Sequence, residues 1–214
     1  MISVVSLDIG GTVAVNSRGP VTAQIATLVG RPFPEVREFL QPYKCMRIEI
    51  EALADILNDA LSPERDVRIE LAGLLTAAKR TACDITTFSD VEKTLETLRD
   101  RGLKIVLFSN VLGAIAPTAG EAFPLTDLVD GVFYSCDIGA AKPSLAAFSY
   151  VQSEVGARRE QILHVGDAVA TDIEGATDAG WHSVLLDRER RHPNCIHSLE
   201  QIVESLERIG GTQR

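Results

Sequence analysis

Residues 2–12 read Ile2-Ser3-Val4-Val5-Ser6-Leu7-Asp8-Ile9-Gly10-Gly11-Thr12. The largely apolar run from Ile2 to Leu7 has the character of a strand buried on both faces of a parallel sheet. It stops at an acidic residue followed by two glycines, which places Asp8 at the strand's carboxyl end. Similar short runs follow at 103–108, 132–134, 162–165 and 183–186. Helical spacing lies between them. Segment 89–101 opens with a Ser89–Glu92 capping box, carries Val91, Leu95 and Leu98 on one stripe and stops at Gly102. Segment 144–155 sets Phe148, Val151 and Val155 on one face before Gly156, and 172–179 stops at Gly180. The last, 198–209, has a Ser198–Gln201 capping box and a Gly210-Gly211 stop. Alternating strands and helices predict an α/β fold with a doubly wound parallel sheet.

One block breaks the alternation. Residues 15–88 show helical spacing at 20–29, 34–40, 48–61 and 63–79, and no strand pattern. The expected organisation is an α/β core made of 1–14 and 89–214, with an all-helical cap of 15–88 inserted after the first strand.

Composition narrows the function classes. The 214 residues are 45% hydrophobic and 24% charged, which excludes disordered, collagen-like and coiled-coil chains. A net charge of −9 lacks the basic footprint of a nonspecific nucleic-acid binder, so no nucleic-acid partner is expected. Cys45, Cys83, Cys136 and Cys195 are scattered, with no CxxC pair, and read as reduced thiols of a cytoplasmic protein. The opening residues lack a basic region and meet Asp8 at once, so no signal peptide is expected. No apolar stretch reaches the roughly 18 residues of a membrane span, and no membrane association is expected. The oligomeric state is left open.

In a doubly wound sheet, ligands bind at the carboxyl ends of the strands. The residues expected there are Asp8 to Thr12, then Ser109 and Asn110, then Lys142, then Gly166 and Asp167 with Asp172 five positions on. Carboxylates from two strands, a lysine and a hydroxyl suit Mg²⁺ and a phosphoryl group. Hard oxygen donors favour that ion, and Lys142 offsets phosphate charge.

These four motifs, in this order, resemble the haloacid dehalogenase-like (HAD) superfamily, in the branch with a helical C1-type cap. The resemblance spans the whole chain and implies a Rossmann-like core. It implies that Asp8 is the nucleophile, forming an aspartyl-phosphate on a small phosphorylated substrate. It also implies that Asp8, the backbone carbonyl of Gly10 and Asp167 hold Mg²⁺, with Asp172 as an outer partner. Ser109 and Lys142 would grip the phosphoryl oxygens, and Thr12 and Asn110 would contact the substrate.

The sequence departs from the family at Gly10, where most family phosphatases carry a second Asp as general acid and base. That function is typically worth about 10²–10⁴-fold in rate. Three resolutions stay open. A good leaving group, or a proton from the cap or substrate, would preserve phosphatase activity. Lys44 in the cap would form a Schiff base if the chain resembled the phosphonoacetaldehyde hydrolases, which carry a small residue at this position. A binding or regulatory protein with weak turnover is the third. Metal-free 2-haloacid dehalogenases fit less well, because Asp167 keeps the metal-binding form. The Asp8-to-Thr12 stretch also resembles a phosphate loop of sugar kinases, but the second glycine-rich motif is missing. Three minor features read as structural: His164 as a packed core residue, Arg188, Arg190 and Arg191 as a solvated turn, and His192, Cys195 and His197 as a plain loop.

Overall fold

The computed structural model describes residues 1–14, 19–62, 64–83, 85–118 and 125–211. The expected boundary at Val15 and the expected helix start at Pro63 lie outside the described residues. After β1 (Val4–Leu7) come α1 (Val21–Val29), α2 (Phe33–Phe39), a single 3₁₀ turn at Pro42–Lys44, α3 (Ile50–Leu61) and α4 (Arg68–Cys83). The alternating part resumes with α5 (Val91–Asp100), β2 (Lys104–Ser109), β3 (Gly131–Tyr134), α6 (Ser135–Ile138) and α7 (Leu145–Val155). It closes with β4 (Ile162–Gly166), α8 (Gly175–Asp178), β5 (His182–Leu185) and α9 (Ile202–Gly211).

The five strands form one sheet in the order β3-β2-β1-β4-β5, all parallel. Strand β1 is central and wholly buried, as its apolar run requires. Its odd positions, Val5 and Leu7, pack with Leu95 and Leu98 of α5 and Ile202 of α9. Its even positions face the other layer, where Val4 joins Phe148 and Val151 of α7 and Ala176 of α8. The sheet is therefore covered on both faces. The order of strands switches sides at β1, with β2 and β3 added on one side and β4 and β5 on the other, and this is the position where such sheets bind ligands.

Helices α1 to α4 build a second apolar core around Ile25, Leu53, Leu57 and Leu71. That core is shared, because Leu112, Ala114 and Ile115 from the loop after β2 are buried in it. The path into the helices leaves at Ala14 and returns at Thr87, and these two residues pair in an antiparallel bridge. Arg47 adds a second tie. It forms a two-point ion pair with Asp137 of α6 at 2.7 Å and donates to the carbonyls of Ala116 and Pro117.

Two local expectations are revised. The helix expected to open with Ser89 starts at Val91, and Asp90 precedes it without a side-chain cap bond. The carboxylate of Asp90 is used elsewhere. It accepts from both Arg188 Nη atoms at 2.9 and 3.1 Å, from Ser198 Oγ at 3.1 Å and from the Leu199 N–H at 2.8 Å. Arg188, expected on a solvated turn, instead folds inward. It lies 3.8 Å from the centre of the Phe88 ring and donates to the Thr12 carbonyl. The Ser198–Gln201 capping box forms as the sequence indicates.

Burial opposes ionisation of Asp90, but the bonds from Arg188, Leu199 and Ser198 outweigh it and hold the carboxyl below its usual range. Asp90→Asn is thus expected to cost about 1.5–3 kcal/mol of unfolding free energy at pH 7. A carboxyl with a depressed folded pKa contributes stability above its unfolded value, near pH 4, and loses it as pH falls through the folded value. The difference between the two proteins should therefore shrink below about pH 4. Urea titrations at pH 7 and pH 3 measure it; an equal gap at both would remove the ionic account.

Candidate active site

The site forms where β1, β2 and β4 end. The N–H of Asp8 donates to the Val165 carbonyl at 2.9 Å, so Asp8 is still held by the sheet ladder as the chain turns into its loop. Lys142 reaches it from the connection between α6 and α7. The Lys142 ammonium donates to Asp8 Oδ1 at 2.8 Å, to Asp172 Oδ1 at 2.6 Å and to the Phe108 carbonyl at 2.8 Å. All three of its protons are used, and its side chain is 1% exposed.

Asn110 fixes where that lysine emerges. Its side-chain amide donates to the Lys142 carbonyl and accepts from the Lys142 N–H, both at 2.8 Å. Asn110 also lines the cavity described below, yet both ends of its amide are committed to the backbone of Lys142. The structure thus gives it a positioning task beside the substrate contact expected from the sequence. Thr12 is fully buried, and its Oγ1 has no hydrogen-bond partner among the described residues. Lys44 sits half-buried on the Pro42–Lys44 turn and is not among the described residues lining the cavity. Burial, with Arg37 nearby, lowers its pKa.

Asp172 is reached through a departure from the expected helix. In place of a regular helix from 172, a wider π-type turn spans Val169–Glu174 ahead of α8. The turn directs the carboxylate back at the strand ends, where Oδ2 accepts from the Ala168 N–H at 3.0 Å. Gly166 makes this possible, since a Cβ there would overlap the Asp172 carboxylate. Gly11 plays the matching part for Asp167. It adopts φ +77°, and a side chain would occupy the space of Asp167 Oδ2. Oxygens of Asp8, Asp167 and Asp172 consequently lie within 4.8 Å of one another.

Three carboxylates so close repel, and their proton affinities record it. Burial, with Asp172 and Asp167 nearby, pushes the Asp8 carboxyl up to about 6 against the pull of Lys142. Burial and Asp172 raise Asp167 as well. Asp172 goes the other way: burial opposes its charge, but Lys142 and the bond from His164 hold it well below the usual carboxylate range. Asp172 is thus a fixed anion whose oxygens are occupied by protein donors. Asp8 and Asp167 are the two whose charge awaits compensation. Hard oxygens in a repelling cluster fit a divalent cation such as Mg²⁺.

Among the described residues Lys142 is the one cation in contact with both Asp8 and Asp172. Removing it as Lys142→Met leaves buried like charges together and is expected to cost about 3–5 kcal/mol at pH 7. The loss should be smaller near pH 4, where Asp8 is protonated. Denaturant midpoints at the two pH values check this, and a pH-independent loss would contradict it.

Sequence reading missed one functional partner set. His164 donates or accepts at Ser6 Oγ (3.0 Å) and Asp172 Oδ1 (3.3 Å), extending the polar chain from Asp8 through Lys142 and Asp172 into the sheet. It is indeed packed, between the rings of Phe108, Phe148 and Trp181. The legible signal was Ser6, a polar residue on the same face as Asp8 in a strand buried on both sides, directly paired in register with His164.

A cavity of about 300 Å³ opens next to this cluster, with Gly10, Ser109 and Asn110 among the residues that line it and α1 and α4 on its far side. A Cβ built on Gly10 meets nothing within 4 Å.

A family model described as haloacid dehalogenase-like hydrolase matches residues 2–180. The chain belongs to the haloacid dehalogenase-like hydrolases. Among proteins of this kind, it is 32% identical to a ribulose-1,5-bisphosphate 5-phosphatase of Halopiger xanaduensis over 49% of this chain and 44% of that one. It is 38% identical to the phosphatase MT3486 of Mycobacterium tuberculosis over 47% and 46%. The chain therefore spans about half the length of the curated relatives it matches. The HAD fold itself is matched along nearly the full length by a crystal structure of a 2-haloacid dehalogenase from Pseudomonas syringae pv. Tomato DC3000. That likeness has a TM-score of 0.70 at 22% identity, covering 97% of this chain and 99% of that one. Among the described residues no helix is long and apolar enough to cross a membrane.

Proposed function

We propose that this HAD-like hydrolase is a phosphatase that transfers the phosphoryl group of a small phosphomonoester to Asp8 and then to water. The observation that carries the reading is the Lys142 bridge, which holds Asp8 and Asp172 at 2.8 and 2.6 Å where the sheet ends beside the cavity. Two relatives named as phosphatases support it.

In this reading Asp8 Oδ2 is the attacking atom, because Oδ1 is held by Lys142. Lys142 orients the carboxylate and offsets the charge of the arriving phosphoryl oxygens, exchanging one of its present contacts for them. Ser109 supplies a hydroxyl beside it. Asp8, Asp167 and the Gly10 carbonyl would hold Mg²⁺, with Asp172 behind them. The ion would supply positive charge to the transferring phosphoryl group. Asp172 keeps Lys142 charged, while burial opposes that charge and Asp8 and Asp172 together overcome it. The helices α1 to α4, acting as a cap, would exclude water while the phosphoryl group is on Asp8. Carbon–phosphorus cleavage through Lys44 has no support in this geometry, since that lysine is not among the described lining residues.

The test is phosphate release from acetyl phosphate and a panel of phosphomonoesters with and without Mg²⁺. Release that stops in chelator and returns with Mg²⁺, with an acid-quenched phosphoprotein lost on hydroxylamine treatment, is the expected result. No release from any ester would leave a phosphate-binding protein instead.

A further inference from the structure

The walls of the cavity are unlike its floor. Leu74 and Ala78 of α4, Val21 of α1, Ile85, Ile115 and Pro117 present carbon to its interior. Among the described lining residues there is no Asp, Glu, Lys, Arg or His. Thr81 lines it as well, but its hydroxyl donates to the Ala77 carbonyl at 3.0 Å. A second phosphate or a carboxylate on the substrate would shed its hydration here and meet no described partner charge. An uncharged apolar body would lose nothing. The volume of about 300 Å³ is roughly twice that of a cavity known to admit benzene, so it holds one ring and a phosphoryl group.

The floor poses a separate demand. At Gly10 there is open space in place of an acid, and the described lining residues put no carboxyl, imidazole or ammonium there; the one ionisable group among them is the phenol of Tyr134, at the end of β3. His164 is fully buried with both ring nitrogens engaged. Without a carboxylic acid among the described lining residues, a leaving oxygen of low basicity is favoured. An alkoxide has nearly the basicity of hydroxide, whose conjugate acid has a pKa of about 15.7. A phenolate is far less basic, at about the tyrosine value of 10.

Both demands are met by one class of compound. We propose that this cavity selects phenolic phosphomonoesters, a phosphoryl group on a single uncharged aromatic ring. The inference rests on the Asp8 phosphotransfer reading. Asp8 Oδ2 forms a bond to phosphorus as the bond from phosphorus to the phenolic oxygen breaks, and the electron pair leaves on the phenolate. The phenolate takes its proton from solvent. Water then attacks the phosphorus, the bond from phosphorus to Asp8 breaks, and the carboxylate is restored. The balance is aryl phosphate plus water giving phenol plus inorganic phosphate.

Four substrates separate the two demands: phenyl phosphate, benzyl phosphate, acetyl phosphate and glycerol 3-phosphate. Phenyl phosphate should exceed glycerol 3-phosphate in kcat/KM by about 10²-fold or more, the lower bound of what a missing general acid costs. Benzyl phosphate, with the ring but a poor leaving oxygen, should fall about 10²-fold below phenyl phosphate in kcat/KM. Acetyl phosphate, with a good leaving group and no ring, should keep kcat at a raised KM. Ala77→Asp, on the exposed side of α4 at the cavity wall, should raise KM for phenyl phosphate relative to acetyl phosphate. The acetyl ester controls for simple repulsion of phosphate. Glycerol 3-phosphate matching phenyl phosphate would overturn the proposal while leaving the Asp8 chemistry standing. Benzyl phosphate turning over as fast as phenyl phosphate would overturn it too. Failure to hydrolyse acetyl phosphate would overturn both.

Discussion

Asp8→Asn is expected to abolish phosphate release and, in chelator at pH 7, to raise the stability of the protein. The first half follows from the chemistry: an amide cannot attack phosphorus, and Asp8 is the carboxylate that Lys142 orients beside the cavity. The second half follows from electrostatics. Burial and neighbouring carboxylates push the Asp8 carboxyl up to about 6, so its ionised form is unfavourable in the folded protein. A carboxyl with a raised folded pKa leaves stability intact below its unfolded value, near 4, and erodes it as pH rises through about 6. Asparagine removes that erosion and still offers Lys142 an acceptor oxygen. The two proteins should melt together near pH 4, and the variant should melt higher at pH 7. A variant that is inactive because it misfolds would show the opposite sign. Residual turnover above about one part in 10³ would mean the nucleophile is another residue.

Gly10→Asp carries the second largest effect, and it is a gain. The position has room for a side chain, and its backbone is outside the left-handed region that would strain an aspartate. A carboxyl there, facing the cavity, can protonate a departing oxygen. For alkyl phosphates kcat/KM should rise by about 10²–10⁴-fold, the usual contribution of general acid–base catalysis. For phenyl phosphate the rise in kcat/KM should be small, because that leaving group needs no proton and the aspartate's role as base falls in the later hydrolysis of the phosphoenzyme common to all esters. Initial rates on benzyl and phenyl phosphate for both proteins measure the difference. An equal change in kcat/KM for the two esters would show that the aspartate does not act as an acid on the leaving oxygen.

The strands were readable because a central parallel strand must be apolar on both faces, and few other structures tolerate such short runs between glycine stops. The order of Asp8, Ser109, Lys142, Asp167 and Asp172 was readable because Asp8, Ser109 and Asp167 fall at or next to strand ends and Lys142 and Asp172 lie in the connections that follow β3 and β4. What escaped the sequence depended on register and on distant partners. Nothing local marks Asp90 as the acceptor for Arg188, 98 positions away, and the Ser89 capping box lost to that pairing. The clamp of the Asn110 amide on Lys142 was not legible because its partner is a backbone 32 residues on. The π-type turn at Val169–Glu174 was invisible, because an extra residue in one turn leaves the apolar spacing almost unchanged.

The loop after β2 serves two masters. Its first residue, Asn110, lines the cavity beside Ser109 of β2 and clamps Lys142, while Leu112, Ala114 and Ile115 are buried among α1 to α4. Its Gly113 N–H is bonded to the Tyr43 carbonyl, and Arg47 grips its far end. Exchange of the helical insert between relatives would thus fail as a simple cut at the two chain crossings. The graft that keeps its function must carry residues 111–117 with it, because the portable unit is discontinuous in sequence.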